Sequence, residues 1–95
     1  MRGYRLSPLA RTDLEHIWVH TFKNWSAEQA DRYHQSIIAA IEGLLRGESV
    51  GRPVDIRAGY FKYAVGAHFV FFTLSDTSLD VIRILHQQMD VSRHL

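Results

Sequence analysis

Apolar residues change their spacing about halfway along the chain. From Ala10 to Leu45 they recur at helical intervals, and from Tyr60 to His86 they come in short dense runs. The first spacing predicts helices with one buried stripe, the second predicts strands. Tyr4-Arg5-Leu6 reads as a short opening strand with Tyr4 and Leu6 on one face. Ser7-Pro8 then marks a helix start, with Ser7 as N-cap and Pro8 at the first helical position. Ala10, Leu14, Ile17, Trp18 and Thr21 form its stripe, so the first helix is expected from Pro8 to Thr21. Lys23-Asn24 reads as a break. Ser26 caps a second helix, with Gln29 completing a capping box and Trp25 and Ala30 placed for a hydrophobic staple. Ala30, Tyr33, Ile37, Ala40, Ile41, Leu44 and Leu45 make a longer stripe, and Gly47 stands where a left-handed C-terminal cap is expected. The short connection predicts an antiparallel helical hairpin.

Residues 48–59 carry Gly51, Pro53 and Gly59 and read as a loop, briefly extended between Val54 and Arg57. Tyr60 to Val65 is a strand, Gly66 a hairpin turn, and His68 to Leu74 a strand apolar on both faces and therefore central. Ser75 to Ser78 form a polar turn. Leu79 to His86 is a last strand, with Leu79, Val81 and Leu85 on one face and Ile82 and Ile84 on the other. Met89 to Leu95 form a tail or a single turn. The expectation is one α+β domain over residues 1–95, of order β-α-α-β-β-β. A helical hairpin packs on one face of a small antiparallel sheet, the first strand joins an outer edge, and the other face is partly open to a partner.

Composition narrows the function classes. A chain of 95 residues has room for one modest core and none for separate cofactor and substrate domains. The net charge of +1 is far from that of a purely electrostatic nucleic-acid binder. Nine arginines against two lysines favour planar, multidentate contacts. The absence of cysteine excludes disulfides and thiolate metal sites. No apolar run resembles a signal peptide or a membrane span, so a soluble, cytoplasmic protein is expected.

Candidate chemistry is sparse. His16 and His20, four apart on one helix, have no third metal ligand in view and read as solvated. His86 ends the last strand near Arg83 and Asp90; it is either a hydrogen-bonded strand end or an acid–base group, without a visible second proton-transfer partner. Arg52, Arg57, Lys62 and Arg83 gather in the loop and sheet region. They read equally as a site for phosphate or an acidic protein surface and as a solvated edge with Asp55 pairing to Arg52 or Arg57. Phe61, Tyr63, Phe69, Phe71 and Phe72 form an aromatic cluster, mostly core; Tyr60 points to the opposite face from Phe61, and one or more aromatics are left for a protein partner. No nucleophilic triad, phosphate loop or dinucleotide fingerprint is present, and no cofactor or metal is expected.

A whole-chain pattern adds to this. It runs through Tyr4-Arg5-Leu6-Ser7-Pro8-Leu9-Ala10, Asp13-Leu14, Ile17-Trp18, Trp25, Gln29-Ala30 and Tyr33. It continues in Gly51-Arg52-Pro53, Asp55, Arg57, Gly59-Tyr60, Val65-Gly66 and His68 to Phe72, then Val81 to His86, Met89-Asp90 and His94-Leu95. In this order and spacing the chain resembles ParE-type toxins of bacterial type II toxin–antitoxin systems, within the RelE/ParE superfamily. The resemblance implies a binding-type toxin without catalysis that traps or blocks DNA gyrase. It also implies a ParD-like antitoxin whose flexible C-terminal part wraps the toxin and whose DNA-binding domain lets the complex repress its operon. Contact with DNA would be indirect, through antitoxin or gyrase. On this reading Arg57, Lys62, Arg83, His86, Met89 and Arg93 are the candidates for contacting the target, and Tyr60, Phe61, Tyr63, Phe69 and Phe71 those for contacting the antitoxin. The RelE branch, which cleaves mRNA on the ribosome, is the alternative; the chain lacks that branch's terminal tyrosine and lysine-rich sheet. A relic that only binds its antitoxin is the third reading.

Overall fold

The computed structural model describes residues 3–95; Met1 and Arg2 lie outside the described residues. Strand β1 (Gly3–Leu6) leads into α1 (Pro8–Asn24) and α2 (Ala27–Leu45), followed by β2 (Arg52–Pro53), β3 (Tyr60–Val65), β4 (His68–Leu74), β5 (Ser78–His86) and a 3-10 turn at Val91–Arg93. The five strands form one sheet in the order β1-β5-β4-β3-β2. The meander from β2 to β5 is antiparallel, as expected. β1 joins β5 in parallel, with Tyr4 opposite Leu79 and Leu6 opposite Val81, so the sheet is mixed. The helices carry the chain from β1 to β2 at the opposite edge, and the meander brings it back to β5 beside β1. This is far more chain than the dozen or so residues a parallel neighbour requires.

Local signals act where the sequence places them. Ser7 Oγ accepts from the Ala10 amide at 3.0 Å, and Ser26 Oγ from the Gln29 amide at 3.0 Å. Gly47 and Gly66 both adopt positive φ, at 77° and 54°, closing α2 and turning the β3–β4 hairpin. α1 runs past Thr21 to Asn24, because Lys23 and Asn24 contain no breaker and the Asn24 side-chain Nδ2 donates back to His20 O at 2.8 Å. The hairpin therefore turns on Trp25 and Ser26 alone. The capping box closes from one side only: Gln29 Oε1 accepts from Arg32 instead of returning to Ser26. Trp25 makes no staple and stays 75% exposed.

The main core lies between the hairpin and the sheet. Ala10 and Leu14 of α1 and Ile37, Ile41 and Leu44 of α2 meet Val70, Phe72, Leu79, Val81 and Ile84. Tyr4, Leu6, Phe61 and Tyr63 pack around them, half-buried. β5 departs from simple alternation. Phe71 pairs with Arg83 and Phe72 with Val81, so Ile82 has no partner on β4. This bulge shifts the phase of the strand. Ile84 consequently joins Leu79 and Val81 on the helix side, and Leu85 points to the other face, the reverse of the expected alternation.

The outer face is closed at its centre. Phe71, Leu85 and Val54 form a second cluster under Tyr60, Phe69, Val91 and Leu95. The C-terminal turn thus folds back onto the sheet, and the tail is a packing element as well as an end. β1 stops at Leu6, and α1 closes the rest of the β5 edge. Ser7 N donates to Val81 O at 2.9 Å, Ser7 Oγ to Ile82 O at 2.6 Å, and the Ile84 amide donates to Asp13 Oδ2 at 2.9 Å.

Candidate functional site

The sheet separates the candidate residues into two groups. On the outer face, Lys62 of β3 sits with its ammonium 4.6 Å from the centroid of Phe69, and the Arg57 guanidinium lies 4.8 Å from that of Tyr60. Both contacts are cation–π pairs that orient long, flexible side chains. Arg52 stands directly opposite Lys62 across the β2–β3 pair. Among the described residues none of these three cations has a carboxylate partner, and Asp55 pairs with neither Arg52 nor Arg57. Arg93 projects from the C-terminal turn, loosely paired with Asp90 at 3.7 Å.

On the helix side, a cleft of about 280 Å3 opens between α1 and the end of β5. His16 and His20 reach it from α1, His68 from β4 and His86 from β5, with Ile17 and Met89 among its apolar walls. His68 and His86 are cross-strand partners with ring centroids 5.4 Å apart, edge to face. His86 Nδ1 accepts from the Gln88 amide at 3.1 Å, so the neutral ring carries its proton on Nε2. His68 Nδ1 lies 2.7 Å from the Tyr33 hydroxyl of α2. Burial holds His68 below the usual imidazole pKa, His86 and His20 push the same way, and Asp13 opposes them. Burial also pushes the Tyr33 phenol up. Among the described residues no three His, Cys, Asp or Glu side chains are arranged to hold a metal ion.

Two candidates do not stand where the sequence suggested. Arg83 is no free contact: its guanidinium makes two 2.9 Å hydrogen bonds to Asp13, with both side chains largely buried. The Asp13 carboxylate holds the Arg83 pKa above its ordinary value. Phe71 is wholly buried and offers nothing to a partner. Phe61 and Tyr63 lie beneath the hairpin, whereas Tyr60 and Phe69 back the outer cations. His86 and Met89 face the cleft, on the opposite side of the sheet from Arg57 and Lys62. The bulge that decides this has no local sequence signature.

Sequence reasoning missed three contributors, namely Asp13, Tyr33 and His68, because each acts through a partner distant in the chain. It also missed a second apolar surface. Leu9, Val19, Phe22 and Trp25 of the hairpin are between 42% and 75% exposed. Beside them Leu6, Leu14, Trp18 and Val19 line a groove of about 390 Å3. The available signal was that α1 carries apolar residues outside its main stripe.

Comparison with known proteins agrees with this fold. A family described as the ParE toxin of the type II toxin–antitoxin system parDE matches residues 4–91. The chain is 40% identical over 94 residues to Toxin ParE1 of Mycobacterium tuberculosis, covering 97% of this chain and 96% of that one. It is 38% identical over 96 residues to Toxin ParE1 of Caulobacter vibrioides, covering 100% and 99%. Its fold is similar to that of a chain in the chromosomal ParDE toxin–antitoxin system of P. aeruginosa, with a TM-score of 0.79 and 20% identity over 90% of this chain and 96% of that one. With near-complete coverage in each case, the chain belongs to the ParE toxin family of type II toxin–antitoxin systems.

Proposed function

We propose that this protein acts in the cytoplasm as a toxin that binds DNA gyrase and stalls it in its DNA-cleaved state, and that a ParD-like antitoxin neutralises it. The observation that carries the non-catalytic reading is the division of the candidate residues by the sheet. His86 lies in a cleft whose lining among the described residues includes no arginine or lysine, and Arg83, two residues before Leu85 on the same strand, is committed to Asp13. Arg57 and Lys62 lie on the other face. Proton transfer at a phosphodiester needs the acid–base group and the phosphate-holding cations around one atom. Binding needs only a higher affinity for one gyrase state than for the others.

The antitoxin supplies the cover that the apolar surface of α1 lacks. Exposed patches of this kind, bordered here by Arg11, Glu15 and His34, mark protein interaction sites. A flexible antitoxin segment suits it, since such segments wrap large surfaces as they order.

The test is a plasmid supercoiling assay with purified gyrase, ATP and the toxin. Loss of supercoiling with accumulation of linear DNA is expected, and His86→Ala is expected to retain it. Unchanged supercoiling at high excess of folded protein would overturn the gyrase reading. Ribosome-dependent mRNA cleavage that falls about a hundredfold or more in His86→Ala would establish the nuclease alternative. Antitoxin binding with neither activity would establish a relic.

A further inference from the structure

Arg52 and Lys62 are direct neighbours across the outermost strand pair. Like charges in that position repel and destabilise the pair. Residues directly opposite share a face, and Lys62 lies over Phe69 of the outer cluster, so both cations project from the outer face. Arg57 joins them there over Tyr60. Among the described residues no carboxylate pairs with any of the three, although Arg5, Arg46 and Arg83 all have partners. Three cations, two of them oriented by aromatic rings, therefore form an unneutralised row at one sheet edge.

The edge also restricts what the row can hold. β2 is two residues long, and Pro53 has no N–H. An added peptide strand would find almost no backbone to pair with. Phosphate oxygens need only side-chain donors, which Arg and Lys supply. We infer that the outer face at the β2–β3 edge binds the phosphodiester backbone of duplex DNA through Arg52, Arg57 and Lys62. This is a direct contact, in contrast to the indirect one expected from the family resemblance. Three phosphate contacts and a net charge of +1 make a weak site in isolation. Such a site works where the DNA is already held beside the toxin. For that placement alone the inference rests on the gyrase reading; the affinity for DNA does not.

The test is fluorescence anisotropy with a short labelled duplex and the purified toxin. Three phosphate contacts predict an affinity loss of about fortyfold between about 50 and 200 mM salt. The triple variant Arg52→Gln/Arg57→Gln/Lys62→Gln should lose less than about twofold over that range. The single Arg52→Gln variant, at an exposed position, should give an intermediate slope, and Arg46→Gln, whose partner is Glu48, the wild-type one. A triple variant with the wild-type slope, or a wild type without salt-dependent duplex binding, would overturn the site. Tighter binding of single-stranded RNA than of duplex would overturn its assignment to DNA. In the supercoiling assay the triple variant should need about tenfold or more toxin for the same inhibition. Equal potency of wild type and triple variant would overturn the role of the row in poisoning. If the wild type leaves gyrase untouched yet binds duplex with the expected slope, the gyrase reading fails and the DNA site stands.

Discussion

The Tyr33 hydroxyl lies 3.0 Å from Val65 O, 2.7 Å from His68 Nδ1 and 3.1 Å from the Ala67 amide. A phenol has one proton to give. All three contacts are satisfied when it donates to the carbonyl and accepts from the amide and from a protonated Nδ1. Neutral His68 therefore carries its proton on Nδ1. Its pKa lies below the ordinary imidazole value near 6.5 because the ring is buried beside His86 and His20. The unfolded chain takes up this proton first, so the contribution of His68 to stability is present above pH 6.5. It is lost as pH falls through the folded-state pKa. Urea unfolding between about pH 5 and pH 7.5 should show this loss, and His68→Asn, whose amide N–H can replace Nδ1–H, should flatten it. At Asp13 one carboxylate serves both the Arg83 guanidinium and the Ile84 amide. Asp13→Ala leaves both without a partner in a largely buried place. The expected loss is about 2–3 kcal/mol in chemical denaturation.

At the level of elements, α2 was the most legible. Its stripe, its Ser26 cap and its Gly47 terminus are local features, and each of the three does what its position in the chain predicts. Ile41 is fully buried between α2 and the sheet. Ile41→Ala should cost about 2–4 kcal/mol by leaving a cavity, and a measured loss below about 1 kcal/mol would contradict this packing. α1 was read less completely, because a stripe and a cap define where a helix starts and which face is buried but not what its other side meets. The β3–β4 hairpin was read correctly from Gly66 and its flanking apolar runs. β5 was read in the wrong phase beyond Ile82, since a bulge is set by pairing with β4 and not by the strand's own residues.

Over the whole molecule, the C-terminal segment couples stability to the proposed function. Val91 and Leu95 pack on Phe71 and Leu85, while Met89 and Arg93 remain exposed. Truncation after Gln88 should therefore cost about 1–3 kcal/mol from lost apolar burial, in addition to reducing gyrase inhibition. The double variant Met89→Ala/Arg93→Gln separates the two effects. It should keep stability within about 0.5 kcal/mol of wild type in thermal and urea unfolding. Supercoiling inhibition should nevertheless weaken; full potency would remove Met89 and Arg93 from the proposed target-contacting residues.

The amino-acid sequence by itself determined the α+β class, the helical hairpin, the meander, the caps at Ser7 and Ser26 and the turns at Gly47 and Gly66. These depend on interactions within a few residues, where periodicity and side-chain chemistry act directly. Only the tertiary structure decided that β1 runs parallel to β5, that Arg83 is neutralised by Asp13 seventy residues away, and that His86 and Lys62 lie on opposite sides of the sheet. Each of these depends on strand register and on contacts between distant segments. A one-residue slip in register exchanges the faces of a strand while leaving its local pattern unchanged.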